Sequence, residues 1–260
     1  MDLQRLYPDP LTVRVAEAAA SVCKEGPATA DRPCLALNFA ATADGRITIG
    51  GRSGPIGNEA DRELFHELRA SVDAVMAGAT TVATERYGRL IRDEARRERR
   101  RAAGMDPDPL AIVVSARLSL DADVPLLQDP DSRVVIVTES ERELEGVRAR
   151  VEYLRPGDAP AEPEELRDRA SLLALFPVMR TLRERYGLDS VMCEGGSVLA
   201  GALMREHLVD ELCLSVAPKV AAGSGPTVVG GPPLDPPAEM ELRTVHEAGG
   251  HLFLRYRVPG

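Results

Sequence analysis

Glu194 closes a short apolar run, "DSVMCE" (189–194), and Gly195 and Gly196 follow it at once. Small and apolar residues then recur at helical spacing in "GSVLAGALMREHL". Two readings of this turn stand side by side. One is a tight strand-to-helix connection with a solvated acid beside it. The other is an anion site, where N–H groups at a helix start face a phosphate and Glu194 reads a sugar or an amine. A second strand–glycine–helix join, "MAGATTV", offers Thr80 and Thr81, and the strand end "VVSARLSL" offers Ser115 and Arg117. Ligands of open α/β sheets sit at such strand ends. Together the three ends can hold the phosphates of a dinucleotide, although simple helix capping explains the same hydroxyls.

Other chemistries lack their parts. No G-x-G-x-x-G follows the first strand and no G-x-x-x-x-G-K-[ST] is present. "HELRA" has Ala70 where a zinc-protease helix needs its second histidine, and the zinc-deaminase and G-x-S-x-G signatures are missing. Cys23, Cys34, Cys193 and Cys213 are far apart and form no C-x-x-C pair, which argues against disulfides and a metal site and for a reducing compartment. A formal charge of −9 argues against nucleic acid and anionic membrane as partners. The start "MDLQRLYPDPL" has no leader pattern and no apolar run reaches membrane-spanning length, so the expected location is cytoplasmic.

Positioning these residues requires alternating strands and helices. Strands are expected at 34–42, 73–78, 110–115, 133–138, 151–154, 189–194, 209–220 and 250–258. Asn58 suits the N-cap of a helix whose stripe is Leu64, Phe65, Leu68 and Val72. The charge-dense stretch 92–109 reads as a solvated helix, and "SLLALFPVMRTLRERYG" as a helix interrupted at Pro177. "LTVRVAEAAASV" suits a short helix, and the Gly/Pro-rich 221–237 is loop. The expected fold is α/β: a mostly parallel central sheet flanked by helices, with antiparallel C-terminal strands. Residues 1–32 read as a lead-in segment and 33–260 as a single domain. Apolar residues on both sides of the last two strands favour a homodimer.

The blocks "LNFAATADGRI", "SGPIGNEADRELFHELRASVDAVMAGATTV" and "CEGGSVLAGALMREHLVDELCLSVAP", in that order, resemble the reductase (C-terminal) domain of the bifunctional deaminase–reductase of bacterial riboflavin biosynthesis. The resemblance implies a dihydrofolate reductase-like fold, a stand-alone reductase, and NADPH as cofactor. It places cofactor contacts at Ala40, Thr80, Thr81, Ser115, Arg117, Gly195, Gly196, Ser197, Val198 and Leu199. It places substrate contacts at Ser53, Arg69, Arg92 and Glu194, with Glu194 and Glu85 as catalytic candidates. The implied reaction is hydride transfer to a 5-amino-6-(5-phosphoribosylamino)uracil-like pyrimidine, whose ribosylamino group becomes ribitylamino. Pro55 and Glu85 depart from the family's aromatic and first aspartate, which keeps a pterin reductase and an NADPH-binding paralogue without this activity open as alternatives.

Overall fold

The computed structural model describes residues 1–24, 26, 30–156 and 174–259. Asp2–Tyr7 (β1) and Leu11–Arg14 (β2) form an antiparallel hairpin, followed by Val15–Ala20 (α1). The central run then alternates: Cys34–Thr42 (β3), Glu59–Ser71 (α2), Ala74–Gly78 (β4), Ala79–Thr84 (α3), Glu94–Ala102 (α4) and Leu110–Val114 (β5). Pro125–Gln128 (α5), Arg133–Val137 (β6), Arg150–Leu154 (β7), Leu175–Glu184 (α6), Ser190–Cys193 (β8) and Ser197–Arg205 (α7) continue it. Glu211–Ala217 (β9), Glu241–Ala248 (β10) and His251–Arg257 (β11) close the chain.

All these strands join one 11-stranded sheet in the order β2-β1-β10-β11-β9-β3-β8-β4-β5-β6-β7. Pairing is parallel from β9 across to β7 and antiparallel from β9 out to β2. The parallel strands are apolar on both faces because helices cover both. Leu35, Leu37, Met76 and Ile112 pack toward α6 and α7, while Ala36, Val75, Ala77 and Val113 pack toward α2 and α3.

Several expectations change. The expected lead-in contributes two strands, since β1 pairs with β10. β10 itself falls in a stretch given no element by its composition. Pro177 does not interrupt α6; it lies in the first turn, where a missing N–H breaks no helical bond. Residues 171–173 of that expected helix lie outside the described residues. Asn58 does cap α2, accepting from Asp61 N at 2.9 Å.

Candidate active site

The C-terminal ends of β3, β8, β4 and β5 open into one cleft of about 1480 Å³. It is lined by Ala40, Ser53, Arg69, Thr80, Thr81, Glu85, Arg92, Ser115, Arg117, Glu194, Gly196, Ser197, Val198 and Leu199. Every residue singled out in the sequence except Gly195 therefore faces a common space.

Its most tightly built feature is the pair Arg69–Glu194. Arg69 sits near the end of α2 and Glu194 directly after β8. The fork of Arg69 meets the carboxylate in two bonds, Nε to Oε1 and Nη2 to Oε2, both 2.7 Å. Tyr87 donates its hydroxyl to Glu194 Oε2 at 2.6 Å, and Arg69 Nη1 donates to Leu90 O at 3.3 Å. Phe65, one helical turn before Arg69, lays its ring 4.2 Å from the guanidinium, and the Tyr87 ring lies 5.0 Å away. The two charged side chains are only 10% and 3% exposed. Burial works against the Arg69 charge, but the adjacent carboxylate outweighs it and raises the pKa. Burial, then the Glu194 charge, pushes the Tyr87 phenol well above its ordinary value, so it stays a donor. Both Glu194 oxygens are engaged. The geometry suits it better as the holder of Arg69 than as a free proton relay.

Beside this pair two helix starts abut. Gly78 is the N-cap of α3 and Gly196 the N-cap of α7, and neither has a side chain to cap its turn. Gly78 N donates to Gly195 O at 2.7 Å, which brings the two starts together. A Cβ on Gly196 would meet Thr81 Oγ1 at 3.1 Å, so a side chain there would narrow the cradle. The left-handed conformation belongs to its neighbour: Gly195 has φ +92° with the Phe39 ring behind it, whereas Gly196 has φ −69°. Gly195 is thus structural, beneath the cradle and not on it. Ser115 Oγ accepts from Ser119 N at 2.9 Å and shapes the loop that presents exposed Arg117.

On the opposite wall, Glu85 Oε1 accepts from Ser53 N at 2.9 Å and from Ser53 Oγ at 3.0 Å. The two residues that the sequence put in separate roles form one link across the cleft mouth. Lys219 Nζ holds the same loop through Pro55 O (2.6 Å) and Ile56 O (2.9 Å). Arg62, Arg92 and Arg117 line the cleft with no ion pair among the described residues. Phe65, Tyr87, Arg62, Asn38 and Ser215 were not legible as site residues. Phe65 reads as part of an apolar stripe, although its i, i+4 spacing to Arg69 is the signal of their contact.

Several motif residues are structural. Asp210 accepts both fork nitrogens of buried Arg32 and also Leu35 N. Asp73 accepts from Asp189 N, Ser190 N and Ser190 Oγ, tying β4 to β8. Asp44 accepts from Thr42 Oγ1, Ala221 N and Ala222 N; the Thr42 bond leads in lowering its pKa to about 2. In α4, Arg96 and Arg99 pair with Glu67, and Arg100 donates to Val72 O at the end of α2. The charge-dense helix braces α2.

This α/β fold is shared with a pyrimidine reductase-like protein from Corynebacterium diphtheriae, which superposes with a TM-score of 0.75 at 21% identity, covering 95% of this chain and 100% of that one. The RibD C-terminal domain family matches residues 33–254, and the chain belongs to that family. The 2,5-diamino-6-ribosylamino-4(3H)-pyrimidinone 5′-phosphate reductase of Methanothermobacter thermautotrophicus is 30% identical over 239 residues, 88% of this chain and 100% of that protein. The reductase of the same name from Archaeoglobus fulgidus is 32% identical over 202 residues, 77% of this chain and 87% of that protein.

Proposed function

We propose that this chain is an NADPH-dependent reductase of riboflavin biosynthesis that converts the ribosylamino group of a phosphorylated pyrimidine to ribitylamino. Its preferred substrate is 2,5-diamino-6-ribosylamino-4(3H)-pyrimidinone 5′-phosphate, the compound named for the two archaeal relatives. What carries the reading is that two helix starts without side-chain caps and three arginines without an ion pair among the described residues line one cleft.

The residues present fit a dinucleotide. The first turns of α3 and α7, which follow Gly78 and Gly196, turn backbone N–H groups toward the cleft, a Cβ on Gly196 would crowd Thr81 Oγ1, and the cleft exceeds what a single small ligand needs. Bound NADPH would supply the hydride. Thr80, Thr81 and Ser197 to Leu199 would face its phosphates, Arg117 the 2′-phosphate, and Ala40 the nicotinamide side. Arg62 and Arg92 would hold the substrate phosphate, which a guanidinium fork matches. Arg69, fixed by Glu194 and Tyr87, keeps N–H groups to spare for the opened sugar. Ser53 and Glu85 close the mouth and limit water. The ring-opened substrate presents a C=N bond; hydride adds to carbon and a proton to nitrogen.

The cytoplasm is the proposed location, consistent with four free thiols. A homodimer is proposed through the outer face of β9, β11 and β10. The deciding experiment follows NADPH absorbance with the diaminopyrimidinone phosphate, its uracil counterpart, and dihydrofolate. Turnover of the first with NADPH, and weaker binding of NADH, is expected. Turnover of dihydrofolate alone would replace this reading with pterin reduction.

A further inference from the structure

α1, α3, α4, α6 and α7 close on their own backbone: the N–H of each C-cap residue bonds back to the last turn. α2 does not. After Ser71 the chain turns extended at Val72 (φ −114°, ψ 159°), and no N–H beyond α2 returns to its last carbonyls among the described residues. Ser71 Oγ donates to Leu68 O at 2.8 Å. A helix leaves its final carbonyls without partners, and here they go to a side chain of α4. Arg100 Nη1 donates to Val72 O at 2.6 Å, Ala70 O at 3.1 Å and Arg69 O at 3.4 Å. Its Nε donates to Asp106 O at 2.7 Å.

Arg100 is 3% exposed and forms no ion pair among the described residues. Burial lowers its pKa, and the carboxylates of Asp73, Asp108 and Asp106 support its charge from a distance. Each of these acids is bound elsewhere: Asp73 to Ser190, Asp108 to Arg89 and Asp106 to Arg133. A buried guanidinium with carbonyls alone for partners is a costly way to fill space, which a leucine or methionine would fill at less cost. Its reach is delivered by the rest of α4. Arg96, Arg99 and Arg100 share one helical face, and Arg96 pairs with Glu63 at 2.6 Å and Glu67 at 2.8 Å, while Arg99 pairs with Glu67 at 2.7 Å. These pairs lay α4 along α2 and bring Arg100 to its end. The turn it caps is the one that carries Arg69.

We infer that Arg100 is a positioning residue for Arg69: by capping the last turn of α2 it fixes where the Arg69 guanidinium meets the substrate. This rests on the reductase reading above. Arg69 is then held at both ends, its fork by Glu194 and its main chain by Arg100. Loosening the main-chain end shifts the donors that Arg69 keeps for the opened sugar. A shift of about 1 Å in such a group costs on the order of a hundredfold in rate. The helix starts proposed to hold the cofactor belong to α3 and α7, not to this turn. Arg100 therefore bears on the pyrimidine and not on NADPH.

The test is a double-mutant cycle on the full chain: wild type, Arg100→Met, Arg69→Lys and the double variant, with Arg100→Lys beside them. Each is assayed with the diaminopyrimidinone phosphate at a temperature where circular dichroism shows it folded, and titrated with NADPH by fluorescence. Arg100→Met should lower kcat/KM about tenfold or more, with NADPH affinity within about twofold of wild type. Arg100→Lys retains a cation that reaches part of the carbonyl set, so it should recover several-fold of that loss. In the Arg69→Lys background, Arg100→Met should cost less than about twofold further, because the group it positions is already gone. Should Arg100→Met fail to fold, Arg100→Lys takes its place in the cycle. Equal losses in both backgrounds would make Arg100 a support of the fold alone and overturn the inference. A lower Tm with unchanged kcat/KM would overturn it too, as would NADPH binding weakened as much as turnover. A wild type that does not turn over the pyrimidine defeats the reductase reading and the inference with it; an active wild type with an additive cycle defeats the inference alone.

Discussion

Glu194 and Arg69 were both legible as site residues, but their pairing was not, because 125 residues separate them and only the fold brings β8 against α2. That pairing changes what a substitution does. Glu194→Gln leaves a guanidinium in the floor with no counter-charge, and breaking a buried pair this way costs roughly 3–5 kcal/mol. A large fall in Tm is expected, with turnover reduced about a hundredfold and NADPH affinity nearly unchanged. Weakened NADPH binding with normal kcat would place Glu194 on the cofactor. Tyr87 supplies a pH signature. Its phenol titrates above its unfolded value of about 10, so its contribution to stability is complete below pH ~10 and is lost as pH rises from there through the folded value. Tyr87→Phe removes a hydrogen bond to a carboxylate, worth about 1.5–3 kcal/mol near neutrality. It should also flatten the decline of Tm above pH 10, and an alkaline limb identical to wild type would show that another group governs it.

At the scale of elements, the buried parallel strands were readable because an apolar run bounded by turn residues needs no partner to be recognised. β1 and β10 were not. β1 buries only Leu3, and β10 only His246, so neither carries a period; each is a strand because its neighbours pair with it, β1 between β2 and β10 and β10 between β1 and β11. The Gly/Pro loop 221–237 was unread for the same reason, yet α7 is shaped to receive it. Gly230 O occupies the place where a Cβ on Gly201 would stand, and Gly230 N donates to Ser197 O at 2.9 Å. Gly201→Ala should therefore lift that loop from the first turn of α7, at about 1–3 kcal/mol by overpacking. Faster protease cleavage within 221–237 and weaker NADPH binding are the expected readouts. Gly195→Ala should cost as much by another route, since φ +92° and the Phe39 ring both oppose a Cβ. Unaltered Tm in both variants would mean the backbone there yields freely.

For the whole molecule, apolar residues on both sides of the late strands were visible in the sequence, but which side stays uncovered depends on the sheet order. β9 and β11 have no free edge: β11 is paired by β9 and β10, and β9 by β11 and β3. In the proposed homodimer a second copy at these strands would therefore meet a face. Phe253 and Arg255 point toward the side covered by α1 and α2, and Phe253 packs with Leu3, Val15 and Ala60. The register Leu252↔Val216, Leu254↔Leu214 and Val245↔Leu254 gathers the opposite side into an apolar patch. Leu252 there is 37% exposed, while Leu254, Leu214, Val216 and Val245 are half-buried. A continuous patch of this kind marks a contact surface, and a two-fold axis through it lets each leucine meet its own copy. Leu254→Arg puts a charge at the centre of that contact, where two copies would oppose each other, and leaves the sheet pairing intact. Light scattering at micromolar concentration should give twice the chain mass for wild type and the single-chain mass for the variant. A dimeric variant would move the interface elsewhere, and a monomeric wild type would remove the dimer altogether.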